Sequence, residues 1–267
     1  MKQLKDVLEA SLLGDMEDVM QDGNELVAKE EIKNFIKKNY AFAKYAKISD
    51  KPNADGKYVV NAKEVRAKSS IETLTNGMFV WGTIELGFDC MFCDNLRSLE
   101  GCPTRVKGAI FIDSKKITSI HGLTIKANTI SLGLENLISL DGAQLTADGI
   151  CINSHVIKNL KGIDECNMKF LKLYFCDELT SLEGLLPIPD KIAIEHCDKI
   201  TSLKGAPEKL NSVNITYCEN LKDYTDMPCA DSISITGKHA HKIRKELVEQ
   251  FISSGKIQSA KQISIYR

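Results

Sequence analysis

Short runs in which apolar and polar residues alternate recur along the middle of the chain. Their apolar members are Phe88/Cys90, Ile110/Ile112, Ile130/Leu132, Ile150/Ile152, Leu171/Leu173, Ile192/Ile194, Val213/Ile215 and Ile233/Ile235. A period of two, rich in β-branched residues, predicts short strands with one buried face. The first seven runs are each followed by a second apolar pair of the form L-x-S-L. Its second members are Leu99, Ile120, Leu140, Leu160, Leu182, Leu203 and Tyr224, at steps of 21, 20, 20, 22, 21 and 21 residues. A glycine follows two residues on, from Gly101 to Gly205, and gives way to Asp226 in the seventh copy. Each copy therefore reads as a strand, a bend, an apolar ledge and a glycine turn. One copy cannot bury its own apolar face, whereas stacked copies can. The pattern predicts a solenoid over residues 85–238, its parallel strands about 4.8 Å apart.

The flanks have a different period. Residues 2–21 place Leu4, Leu8, Leu12, Met16 and Met20 four apart, as one or two amphipathic helices broken near Gly14. Residues 25–46 read as a second helical stretch capped by Asn24, with Val27, Ile32, Phe35, Ile36, Asn39 and Ala43 on its less polar stripe. The first helix is expected either to cap the solenoid or to serve as a docking peptide; the second is expected to cap. Between residues 48 and 84 a turn at Asn53–Gly56 separates short strand-like runs, Tyr58–Val60 and Glu64–Ala67. Ile71 and Leu74 echo the ledge pair, and Trp81 is expected between cap and coils. After the last run, Ala240, Ile243, Leu247 and Phe251 give a helical stripe, and Ile263/Ile265 a last strand. The chain divides into a helical region at 1–47, a strand-bearing cap at 48–84, the solenoid at 85–238 and a helix–strand cap at 239–267. The fold class expected is α/β.

Composition narrows the function. The chain has 267 residues, 43% hydrophobic, with a net charge of −1. It lacks the basic excess of a nucleic-acid binder and any long apolar run, so neither nucleic acid nor a membrane is an expected partner. Its charges are clustered: residues 1–31 carry nine acids against three lysines, and residues 32–68 ten bases against three acids. The bland reading is solvated faces. No apolar secretion signal opens the chain, and nine cysteines is an odd number. Both suggest reduced thiols inside a cell.

The unit Leu171-x-Leu173-x-x-Cys176-x-x-Leu179-Thr-Ser-Leu182-x-Gly184 resembles a leucine-rich repeat of short period. The wording S-L-E-G-C-P at 98–103 and S-L-K-G-A-P at 202–207 is similar to repeat proteins of bacteria and their phages. The stretches Ile48-Ser-Asp-Lys-Pro, Gly56-Lys-Tyr-Val-Val, Leu74-Thr-Asn-Gly and Trp81-Gly resemble the lead-in of that set. The resemblance covers residues 85–236 and implies a fold and a binding role, not a reaction. It also implies a role for Cys93, Cys176, Cys197 and Cys218, which occupy its Asn/Cys position. That position points inward and stacks coil on coil as a structural ladder. The middle coils offer Ser114, Leu134 and Ser154 there and are one residue shorter, so the ladder is expected to break.

Two sharper readings of the cysteines are weak. Cys90-Met-Phe-Cys93 is a C-x-x-C, but a zinc site needs a second pair and none exists. His196-Cys197 are chain neighbours whose side chains point apart, a poor nucleophilic pair. No catalytic residue, metal ligand or cofactor site is therefore expected. The surface left for function is the outward face of the strands, including Phe111, Lys172, Tyr174, Glu195, Asn214 and Thr216. The expected function is a non-enzymatic, monomeric protein-interaction solenoid, cytoplasmic and encoded by a bacterium or phage. The alternative is a virion-associated or structural component addressed by its N-terminal helix. About 30 residues after the last coil are too few for an appended catalytic domain.

Overall fold

The computed structural model describes residues 24–163, 166–186, 188–237, 244–255 and 263–266. The helix expected over residues 2–21 lies outside them. Residues 24–39 form helix α1, and there the expected helical stretch stops, because residues 40–44 are a strand. Lys68 ends the helix from outside: its ammonium donates to the carbonyls of Lys37 and Lys38 at 3.1 and 2.8 Å. These are carbonyls left unpaired in a last helical turn. The alternating Tyr-Ala-Phe-Ala-Lys that follows becomes β1 (Tyr40–Lys44), antiparallel to β3 (Tyr58–Ala67). Strand β2 (Lys47–Ile48) also pairs with β3. The two short runs expected at 58–60 and 64–67 are one strand, which shifts register twice against β4 (Phe79–Cys90).

From β3 onward all pairing is parallel. The main rungs are β4, β6 (Ala109–Asp113), β8 (Thr129–Gly133), β9 (Gln144–Asn153), β10 (Asn167–Tyr174), β11 (Lys191–Glu195), β12 (Lys209–Thr216) and β13 (Cys229–Thr236). These eight rungs define coils 1 to 8. Two short strands, β5 (Arg105–Val106) and β7 (Thr124–Lys126), link β4 to β9 along a second path. Helix α2 (Arg244–Ser253) precedes β14 (Ile263–Tyr266), which adds a rung beside β13. The molecule is thus a strand-rich β-solenoid of about eight turns with few helices among the described residues. Ala240 and Ile243 of the expected C-terminal stripe lie outside those residues; Phe251 is buried.

Inward residues stack in columns. Ile110, Ile130, Ile150, Leu171, Ile192, Val213 and Ile233 are paired rung to rung and at most 2% exposed. The ledge is built by two devices. The serine of L-x-S-L accepts from the N–H two residues on, as Ser98 does from Glu100 at 2.9 Å. Where serine is missing, Asn159 and Asp223 supply the same acceptor at 3.1 and 3.0 Å. A tight turn follows, in which the N–H of Ala206 reaches the carbonyl of Leu203 at 2.8 Å. Asp226 in the seventh copy still closes its turn, Met227 to Tyr224 at 3.0 Å.

The first coil is sealed by aromatics. The Trp81 indole N–H donates to Tyr40 Oη at 3.0 Å, and that hydroxyl donates to the Leu74 carbonyl at 2.7 Å. Phe35, Phe79 and Phe88 complete an edge-to-face cluster around them. Such a cluster covers the apolar end that an array of coils would otherwise expose.

The turn glycines are not equivalent. Gly205 has φ +85°, and a Cβ there would lie 2.6 Å from the backbone of Glu183. Gly122 has φ +77° and open space around it. Gly205→Ala is expected to lower unfolding stability by roughly 2–4 kcal/mol, from strain plus a forced shift of coil 5. Gly122→Ala should cost about 1–2 kcal/mol, from backbone strain alone. Urea midpoints of the two variants check the difference.

Candidate interaction face

In-register pairing converts the outward residues into two rows. One row runs Asp89, Phe111, Ser131, Cys151, Lys172, Ala193, Asn214 and Ser234. The other runs Asp113, Gly133, Asn153, Tyr174, Glu195, Thr216 and Thr236. All six residues expected on the interaction face lie in these rows. Phe111 is the exposed ring, at 37%. Tyr174 is half-buried under Lys172, whose ammonium lies 5.2 Å from the ring centroid. Lys172 also pairs with Glu195 in the next coil at 2.6 Å, so both charges are spent within the face. Thr216 donates to the Asn214 side-chain oxygen at 3.2 Å. The structure brings Lys172, Tyr174 and Glu195 into contact and leaves Phe111 apart, three rungs from Lys172.

Beside the rows stands a feature that sequence reasoning missed. Phe92, Phe175, His196 and Tyr217 have φ between +51° and +58°. This left-handed region costs an L-residue roughly 1–2 kcal/mol and is normally given to glycine. Each of the four directly precedes a ladder cysteine. Three of the rings form a comb along the solenoid axis: Phe175 to His196 at 4.8 Å and His196 to Tyr217 at 5.0 Å, both stacked. The spacing is that of the strands, about 4.8 Å. Tyr174 crosses the comb edge-on, 5.9 Å from His196. At the near end, His155 pairs with Asp177 and tilts toward Phe175. Phe92 stands alone and is 71% exposed. The signal was present as an aromatic or imidazole before Cys93, Cys176, Cys197 and Cys218. It was overlooked because periodicity weights the residues that recur inward.

The ladder itself is a set of weak hydrogen bonds. The thiols of Cys176, Cys197 and Cys218 reach the carbonyls of Ile152, Leu173 and Ile194 in the coil before, at 3.6 to 3.8 Å. Cys93 reaches Lys68 O at 3.7 Å. In the shorter coils the left-handed residue is deleted, yet the ladder is less broken than expected. Ser114 and Ser154 are buried and donate to Leu96 O and Leu137 O at 2.6 and 2.7 Å, leaving only Leu134 without a polar atom. Hydrogen bonding to Cys176, with burial, raises the Cys197 pKa, and hydrogen bonding to Cys197 does the same for Cys218. Burial raises Cys90, while its hydrogen bond lowers Cys93. Both thiols are fully buried, unlike the accessible thiolates of redox sites. Among the described residues no three His, Cys, Asp or Glu side chains converge as metal ligands.

Asp113 is the face's unusual charge. One of its oxygens fills the space that a Cβ on Gly133 would need, at 2.1 Å. Burial raises its pKa, reinforced by Asp89, Asp94 and Glu135 and opposed by the Phe92 N–H. Among the described residues Asp89 pairs with Arg66, and Asp94 and Glu135 with Lys115, whereas Asp113 has no cation. No helix among the described residues is long and apolar enough to cross a membrane.

Phe92→Gly removes an exposed ring together with its strained backbone, and stability should stay within about 1 kcal/mol of the parent in urea unfolding. Asp113 holds its proton more tightly folded than unfolded. Well below about pH 4 the carboxyl is protonated in both states and carries no penalty; the penalty grows as pH rises through its folded pKa. Asp113→Asn is thus expected to raise the urea midpoint at pH 7, with the gain fading toward about pH 4. Compared with protein-family models, with curated proteins and with solved structures, the chain finds no match.

Proposed function

We propose that this protein is a non-enzymatic protein-interaction solenoid of the short-period leucine-rich-repeat type, acting inside a bacterial or phage-infected cell. One observation carries the reading: of the five non-glycine residues in left-handed backbone among the described residues, four are rings that directly precede a ladder cysteine, the fifth being Tyr45 outside the coils. A position that glycine would relax, yet which presents an aromatic to solvent, has its side chain selected for contact. The comb adjoins the sheet row at Tyr174, and together they form a continuous aromatic edge. Aromatic side chains give interfaces large contact area at small entropy cost and are enriched among hot spots. The face's charges are largely paired with one another, which suits a protein surface better than a phosphate backbone.

The test is site-specific photo-crosslinking from benzoylphenylalanine placed at Tyr174, at Tyr217 or, on the ledge, at Glu183, in lysate of the native host. Discrete protein adducts are expected from the first two positions and not from the third. Phe175→Gly combined with Tyr217→Gly should reduce the adducts at least tenfold while stability is kept. Adducts from Glu183 alone, or from none of the three, would sink the proposal.

A further inference from the structure

The register makes a trough in the sheet face. Between the rung of Phe111/Asp113 and the rung of Lys172/Tyr174 lie two rungs, Ser131/Gly133 and Cys151/Asn153. Wall to wall this is three strand spacings, about 14 Å. The floor is made of small side chains, the walls of an exposed Phe111 and of Tyr174. Lys172 leans out of the trough toward Glu195 of coil 6. Two under-satisfied acceptors lie in the same region, the Asp113 carboxylate accepting one long bond, from the Phe92 N–H to Oδ2 at 3.4 Å. Asp113 leans over Gly133 with no cation among the described residues, and the one buried side-chain atom among them that lacks a hydrogen-bond partner is Asn153 Oδ1. Every other acid around that wall is compensated by Arg66 or Lys115.

We propose that this trough receives an arginine side chain of the protein partner. The inference rests on the protein-interaction reading and narrows the partner's chemistry. A guanidinium is planar and can lie against an aromatic wall. Its fork of donors matches the Asp113 carboxylate two-to-two and leaves further N–H groups for the floor. A lysine ammonium would supply the charge without the stacking or the fork. An acidic segment would meet Asp113 with like charge.

The experiment is an amide chemical-shift titration of the full chain with acetyl-Gly-Arg-Gly-amide, with the Lys and Glu tripeptides as controls. The arginine peptide is expected to move the amides of residues 111–113, 131–133 and 151–153 in a saturating way, the lysine peptide more weakly and the glutamate peptide not at all. Asp113→Asn should weaken the arginine response about tenfold, equal to ~1.4 kcal/mol, while remaining folded. Ser131→Phe, which fills the trough without changing charge, should abolish it, and Glu183→Gln, on the ledge away from the face, should leave it intact. Indistinguishable arginine and glutamate responses, shifts that map elsewhere, or an unaffected Asp113→Asn titration would each overturn the inference. If that happens while Tyr174 and Tyr217 still crosslink a partner, the interaction face stands and only its arginine specificity falls. If neither signal appears, both fall.

Discussion

Parallel strands in register impose one requirement on this chain. After each coil the backbone must return to the same orientation one strand spacing further along the axis. Everything else follows from meeting it about every 21 residues. The inward columns meet it by placing aliphatic residue over aliphatic residue, mostly isoleucine, valine and leucine. The ledge meets it with a side-chain acceptor that fixes the approach to the turn and a glycine that makes the turn. Serine, asparagine and aspartate are interchangeable at that acceptor position because each offers an oxygen to the N–H two residues ahead. Gly205 is less replaceable than Gly122 because in its coil the neighbouring backbone already fills the space.

The same requirement can be met with or without an extra residue at the end of the strand. Coils 1, 5, 6 and 7 insert one, left-handed, before the cysteine; coils 2, 3 and 4 omit it. The ladder adapts. With the extra residue a thiol reaches back to a strand carbonyl, 24 residues earlier in coils 5 to 7. Without it a hydroxyl reaches a ledge carbonyl 17 or 18 residues earlier. The insertion therefore adds no core contact of its own. What it adds is a ring on the surface, repeated at the strand spacing, which makes the comb a property of the face rather than of the core.

Charge is distributed by the same geometry. Lys199 with Glu178 and Lys204 with Glu183 join residues 21 apart, one coil to the next. Exposed pairs of this kind contribute at most about 1 kcal/mol each. Their larger effect is to neutralise the surface locally, which leaves Asp113 conspicuous. That carboxylate has room only because the next rung carries glycine.

The sequence by itself determined the repeat, the inward columns, the two outward rows and the glycine turns, because alternation and a fixed period are local properties that stacking must respect. It also located Trp81 between the cap and the coils. It misjudged where α1 ends, since Lys68, 30 residues away, caps the carbonyl of Lys38. It divided β3 in two because register shifts interrupt alternation without ending a strand. The candidate face was only half legible. Which residues point outward follows from the period of two, but the comb depends on backbone handedness, which no hydrophobic pattern encodes. Likewise, that Lys172 is satisfied by Glu195 while Asp113 is left without a cation was decided only by tertiary structure. Residues 20 to 23 apart along the chain become neighbours about 4.8 Å apart only after the coils have stacked.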